Sequence, residues 1–290
     1  MPPGRRPLAA LVACAAALVA CAALAACGGT GREPAPGANA ATAGGSARAA
    51  CTGTVGATVP GAPLRTILRV PPTARGHRAP LVLALHFATG DGARMEQQTR
   101  LTPEAARAGF AIAYPTATSG GFWQASDLPK LAATIAAVER AACIDRGRVY
   151  VLGWSNGGGM ASLVACRMAG SVAAVALFAP AVDSGERCAP SRPISVLEVH
   201  GTADDIVPYA DGRGFIGGWA ARDGCGPAPA VSALGATAAR LRWRGCRGNV
   251  AVEHLRLDRG RHVQLFDDLR AAGVDPGAAA WRFLAPHRLG

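Results

Sequence analysis

The stretch Val149–Ser162, "VYVLGWSNGGGMAS", decides the reading of this chain. An apolar β-rich run stops at Gly153-Trp154-Ser155-Asn156-Gly157, and a small, helix-compatible run follows. The five residues fit G-x-S-x-G between an expected strand and an expected helix, the context of a nucleophile elbow. Glycines on both sides suit a tight turn in which side chains would strike neighbouring backbone. The turn would strain the serine and lift its Oγ out of the sheet. The free N–H groups of the following helix would then face any negative charge developing there.

The order of elements around this turn alternates. "LRTILRV" (64–70), "PLVLALH" (80–86), "FAIAYP" (110–115), "RVYVLG" (148–153), "AAVALFAPA" (173–181), "ISVLEVH" (194–200) and "NVAVEHLRL" (249–257) read as strands. Their continuous apolar runs suit strands buried on both faces. "LTPEAARAG" (101–109) reads as a helix with Thr102 as N-cap, Pro103 at its first position and Gly109 at its end. "DLPKLAATIAAVERAAC" (127–143) carries Leu128, Leu131, Ile135 and Val138 on one stripe. Further helices are expected over 156–168, around 215–221 and over 276–286. Repeated β-α-β units predict an α/β fold, a mostly parallel sheet with helices on both faces.

Length and composition set the frame. The chain has 290 residues, half of them apolar, enough for one large α/β domain. Its formal charge is +11, carried almost wholly by arginine, with Lys130 the only lysine. The densest basic patch, "ARLRWRGCRG" (239–248), is short and comes with no recognition motif, so nucleic acid is not an expected partner.

The N-terminus reads as an export signal. Arg5 and Arg6 precede the apolar run Leu8–Ala26, and "LAAC" ends at Cys27. That tetrapeptide resembles a bacterial lipobox, whose cysteine is lipidated. "LVAC" also ends at Cys14 and at Cys21, but the "GGTG" tether after Cys27 favours Cys27. An uncleaved membrane anchor is the alternative. Residues 1–27 are thus expected to be signal peptide and lipobox, 28–50 a flexible Gly/Ala/Pro/Ser-rich linker, and 51–290 the catalytic domain. The expected location is secreted or tethered to the cell envelope as a bacterial lipoprotein, touching membrane only through the lipid or the anchor. Six cysteines remain, an even number that suits an exported domain. The expected pairs are Cys225–Cys246, Cys166–Cys188 and Cys51–Cys143. No Cys/His spacing suggests zinc.

A serine hydroxyl needs a base, and the base needs an orienting acid. In this fold they follow the serine in the order acid, then histidine. Four histidines follow Ser155: His200, His254, His262 and His287. His254 falls inside the last strand and is expected to pack on the sheet, His287 lies at the C-terminus, and His200 precedes the acid. His262, in "LDRGRHVQ" just past that strand, sits where active sites of open α/β sheets form. The acid comes from "EVHGTADDIVPYADG" (198–212), and position alone leaves Asp204 and Asp205 open. Oxyanion donors are expected from the backbone of Asn156 and from Phe87 or Ala88 in the loop after "LVLALH".

These pieces together resemble the secreted α/β-hydrolase esterases of the polyhydroxybutyrate depolymerase and feruloyl esterase group. The resemblance runs from Cys51 to Pro286 through "PLVLALH", "RVYVLGWSNGGGMAS", "VHGTADDIVPY", the Trp219…Asp223-Gly224-Cys225 segment and "WRFL". It implies an α/β-hydrolase fold with Ser155 as nucleophile, His262 as base and, through the H-G-x-x-D-x-x-V-P pattern, Asp204 as acid. It also suggests the Cys225–Cys246 bridge. Two departures stand out: His86-Phe87 replaces the family's His-Gly at the oxyanion loop, and "RGRHVQLF" lacks the Trp-Pro that often follows the histidine. Trp123 and Trp154 could supply pocket walls instead. The implied activity is hydrolysis of a carboxylic ester through an acyl-enzyme, with no metal or organic cofactor. A polyhydroxyalkanoate-type polyester or oligomer is the first expected substrate, and a feruloyl or acetyl-xylan ester the second. A surface lipoprotein that binds polymer without turning it over, and an acyltransferase, are the alternatives.

Overall fold

A computed structural model describes residues 58–182 and 188–290. Its elements in chain order are β1 (Thr66–Arg69), β2 (Ala79–Leu85), α1 (Gly92–Thr99), α2 (Leu101–Ala108), β3 (Ala111–Pro115), α3 (Leu128–Ala141), β4 (Ile144–Trp154), α4 (Asn156–Arg167), β5 (Ala174–Phe178) and β6 (Ser195–Gly201). There follow α5 (Tyr209–Arg222), β7 (Ala230–Ala233), β8 (Ala238–Trp243), β9 (Val252–Leu257), α6 (Leu265–Ala271) and α7 (Pro276–Leu284). The expected signal peptide, the lipobox at Cys27, the linker and Cys51 lie outside the described residues.

Nine strands form one sheet in the order β1-β3-β2-β4-β5-β6-β9-β8-β7. The run from β3 to β9 is parallel. β1 pairs antiparallel at one edge and the β7–β8 hairpin at the other. Alternation along each strand splits the core in two. Leu81, Leu83, Leu85, Val149 and Val151 face a layer built from α3, α4 and α5. Val82, Ala84, Tyr150, Leu152 and Trp154 face a layer built from α1, α2, α6 and α7. Each large aliphatic side chain so buried contributes roughly 1.5–3 kcal/mol. Burial on both faces is why these strands read as unbroken apolar runs.

The structure corrects several sequence expectations. Thr102 does not cap α2. Arg100 takes a left-handed conformation (φ 52°) and the helix starts at Leu101. The Thr102 hydroxyl instead donates to Glu96 Oε1 at 2.7 Å. α1, unforeseen, is polar over most of its length; Asp91 caps it by accepting from the Arg94 N–H at 2.8 Å, and Met95 anchors it. α6 was also unforeseen. The basic patch proves to be largely β8, where Ala239, Leu241 and Trp243 face inward. Its Arg240 and Arg242 approach Glu253 at 3.6 and 3.4 Å, so part of the patch is paired across the sheet to β9. His287 is not frayed but half-buried, with its Nδ1 3.2 Å from Ser195 Oγ, and burial pushes its pKa down to about 4.

Cys166–Cys188 and Cys225–Cys246 are both disulfide-bonded. Cys143, the other half of the third expected pair, ends the turn before β4, and its expected partner Cys51 is not among the described residues.

Asp223, at the C-terminal end of α5, is 1% exposed, and its Oδ2 has no hydrogen-bond partner among the described residues. Burial pushes its pKa up to about 6, although Arg222 and Arg247 pull the other way. The folded chain therefore holds this proton more tightly than the unfolded chain does. Stability falls as pH rises from about 4 to about 6, and the ionised group is a net cost above that. Asp223→Asn is expected to raise Tm at pH 7 by about 2–4 °C, a gain that disappears below about pH 4 in thermal melts.

Candidate active site

The site forms at the C-terminal ends of four parallel strands. β4 ends at Trp154, and Ser155 follows at φ 55°, ψ −119°, a conformation that L-residues rarely adopt. The turn is pinned on three sides: Ser155 N–H donates to Phe178 O at 2.9 Å, and Ser155 O accepts from Gly159 and Ala181, also at 2.9 Å. Both flanking glycines are needed. A Cβ on Gly153 would lie 2.0 Å from Gly157 O, and a Cβ on Gly157 would lie 2.3 Å from Leu85 O. The second approach presses the start of α4 against the end of β2, where the His86–Ala88 loop begins.

Asp204 sits in the loop after β6. Its Oδ1 accepts from the Ile206 and Val207 N–H groups at 3.0 and 2.8 Å, which turns Oδ2 inward. Asp205 is exposed, so geometry separates the pair that position left open. His262 sits in the loop between β9 and α6. The two loops are tied together: Arg259 N–H donates to Thr202 Oγ1 at 2.8 Å and Ala203 N–H to Gly260 O at 3.0 Å. Arg261 bonds Asp268 of α6 through both backbone and side chain, which fixes the residue before His262.

The three side chains meet. His262 Nδ1 lies 2.7 Å from Asp204 Oδ2, and His262 Nε2 lies 2.9 Å from Ser155 Oγ. A carboxylate only accepts, so Nδ1 carries the ring proton and leaves Nε2 free to take one from the hydroxyl. His262 is 3% exposed and Ser155 9%. The arrangement can deprotonate the hydroxyl as it attacks an electrophile and hold the resulting imidazolium.

The loop after β2 is held by His86. Its Nε2 accepts from Ala117 N–H at 3.0 Å, so its proton is on Nδ1, which donates to Phe87 O at 2.7 Å. Burial lowers its pKa, in keeping with a neutral ring. Trp123 braces the same loop: its Nε1–H donates to His86 O at 2.9 Å and its N–H to Asn156 Oδ1 at 2.8 Å. Among the described residues, no hydrogen bond takes the backbone N–H of Asn156, Phe87 or Ala88.

Trp123 lines a cleft of about 710 Å³, together with Asn156, Met160, Phe215, Trp219 and Arg222. Trp154 is placed differently. It is 2% exposed and packs between Phe87 and Phe266, with ring centroids at 4.7 and 5.1 Å, and its Nε1 has no hydrogen-bond partner among the described residues. Sequence reasoning missed Glu198. A lone acidic residue inside the buried run "SVLEVHG" was the available signal.

The family model described as "Esterase PHB depolymerase" matches residues 64–213, from before β1 into α5, and so spans Ser155 and Asp204 but stops short of His262. A feruloyl esterase B of Piromyces equi is 26% identical over 230 residues, covering 69% of this chain and 42% of that protein. A bifunctional acetylxylan esterase/xylanase of Neocallimastix patriciarum is 27% identical over 210 residues, covering 69% of this chain and 31% of that protein. The chain thus spans less than half the length of these curated relatives. Among solved structures, an acetyl xylan esterase from Aspergillus awamori superposes with a TM-score of 0.60 at 15% identity over 76% of this chain and 98% of that one, a likeness of fold. With more than half its length matched by the family model, the chain belongs to the Esterase PHB depolymerase family.

Proposed function

We propose that the protein is a serine esterase that cleaves carboxylic esters through an acyl-enzyme. The observation that carries this reading is the unbroken series from Ser155 Oγ through His262 to Asp204 at 2.9 and 2.7 Å. Ser155 attacks the ester carbonyl while His262 Nε2 takes its proton. Asp204 holds the ring and stabilises its charged form. The N–H groups of Asn156 and of the Phe87–Ala88 loop receive the oxyanion. His262 then protonates the leaving alcohol, and water, activated the same way, releases the acid.

The family name points to a polyester, and the names of the curated relatives to feruloyl and acetylxylan esters. We favour an acylated polysaccharide, because one of these relatives is named for acetylxylan and the other for feruloyl esters. Hydrolysis of methyl ferulate, acetylated xylan and hydroxybutyrate oligomers, compared by kcat/KM, tests the choice. Preference for either of the first two supports it, and preference for the oligomers reverses it. Export and lipidation at Cys27 stay part of the proposal, and mass spectrometry of the cell-envelope fraction tests them. A lipid-modified N-terminal Cys27 is the expected result.

The role given to the loop after β2 makes its own prediction. His86→Ala removes the ring that fixes Phe87 O and takes the Ala117 N–H. It is expected to lower kcat by about 10²-fold with little change in KM, because the donors matter most in the transition state. Steady-state kinetics on a p-nitrophenyl ester checks this.

A further inference from the structure

Behind Asp204 lies a second chain of polar groups that the hydrolytic reading does not use. His200 Nε2 is 3.2 Å from Asp204 Oδ2 and 3.0 Å from Val207 O. His200 Nδ1 is 2.7 Å from Glu198 Oε1. The other oxygen of Glu198 bonds His254 Nδ1, and His254 Nε2 lies 3.0 Å from Tyr209 OH. Glu198, His200 and His254 are all fully buried. α5 seals them from above: a Cβ on Gly212 would lie 2.2 Å from His200 Nδ1, so only glycine lets the helix come down on the pair.

Proton counting constrains this chain. A backbone carbonyl only accepts, so the bond to Val207 O requires a hydrogen on His200 Nε2. The partner of His200 Nδ1 is a carboxylate. When Glu198 is ionised, Nδ1 carries a hydrogen too, and His200 is an imidazolium. His254 then donates from Nδ1 to Glu198 and accepts the Tyr209 O–H at Nε2, and is neutral. The cluster sums to zero charge, which a sealed interior tolerates far better than a lone carboxylate.

We propose that His200 is a positioning residue, kept as a buried imidazolium between Glu198 and Asp204, that holds Asp204 Oδ2 toward His262 and partly cancels its charge. The inference rests on the triad reading above. The cancellation has a definite sign. Asp204 favours the protonated form of His262, and a cation behind Asp204 weakens that pull.

The groups that face His200 agree with the assignment. They are Glu198 on its own strand, Asp204 in the next loop, Tyr209 of α5 at 5.9 Å between ring centroids, His254 of β9 beyond Glu198, and His262 beyond Asp204. Arg213 and Arg256 lie near Tyr209, and Arg256 is paired with Asp258 at 2.9 Å. Burial pushes Glu198 up, but its bonds to His200 and His254 outweigh this and hold it below the ordinary carboxylate value. Burial pushes His200 down, but the bond and charge of Glu198, the Val207 carbonyl and the charge of Asp204 together outweigh it and raise the ring.

Two measurements test the proposal. The first is ring-nitrogen NMR of the unaltered chain, with signals assigned by His→Gln variants. His200 is expected to carry hydrogen on both nitrogens at pH 7, and His254 on one. A neutral His200 at that pH would overturn the proposal. This readout needs no turnover, so it stands even if the esterase reading fails, and it does not depend on a variant folding. The second is the pH profile of kcat/KM for Glu198→Gln and His200→Gln, with folding checked by circular dichroism. Either change removes the cation, and the acid limb is expected to move up by about one pH unit. A folded variant whose activity falls equally at all pH, with its acid limb in place, would reduce His200 to a structural brace and refute the charge role.

Discussion

Ser155→Ala is expected to lower kcat/KM for a p-nitrophenyl ester by about 10⁵-fold or more while leaving thermal unfolding almost unchanged. The hydroxyl is the only group lost. The backbone bonds that pin the turn, to Phe178, Gly159 and Ala181, involve no side-chain atom of residue 155. Alanine meets the same strain at φ 55° as serine does. The remaining His262, Asp204 and oxyanion donors can still bind the ester, so KM should move little. Activity within tenfold of the parent would remove Ser155 from the mechanism.

Asp204→Asn is expected to lower kcat by about 10³–10⁴-fold with the fold intact. The amide oxygen can keep the Ile206 and Val207 N–H bonds that Oδ1 now accepts. The amide –NH₂ then occupies the place of Oδ2, 2.7 Å from His262 Nδ1. Two donors would oppose one another unless His262 shifts its proton to Nε2. That shift leaves Nε2 facing Ser155 Oγ with a hydrogen and no lone pair, so the base is lost without any change of position. Asp205→Asn serves as the contrast. That carboxylate is exposed, and its variant is expected to keep the parent's rate in the same assay.

Much of this architecture could be read from the chain because burial leaves a plain signal. "PLVLAL" and "VYVLGW" carry no charged or strongly polar residue because α3–α5 cover one face of the sheet and α1, α2, α6 and α7 the other. Gly153 and Gly157 were legible for a related reason, since backbones closer than a Cβ allows leave only one residue type. His262 and the Asp204/Asp205 pair were legible from their places just beyond strand ends; position left the two acids open, the family pattern implied Asp204, and the geometry agrees.

What escaped the reading did so for physical reasons too. α1, "GARMEQQT", buries few side chains and so has almost no apolar period to detect. β8 alternates arginine with apolar residues near the sheet edge, and its charge masked its period. His254 read as a packing residue and His200 as the residue before the acid, because a sequence does not reveal that Glu198 points at both. Three buried polar groups on two strands, 56 residues apart at the widest, become one network only through the parallel pairing of β6 with β9, in which Glu198 stands opposite His254.

The most direct test of the central claim is whether the Ser155 hydroxyl is chemically activated. A fluorophosphonate probe reacts with such a serine and requires no knowledge of the natural ester. Intact-mass and peptide mass spectrometry of the labelled protein should show one adduct on the peptide that contains Ser155, absent from Ser155→Ala and strongly slowed in His262→Ala. An unlabelled protein, or an adduct on another residue with Ser155 untouched, would contradict the account.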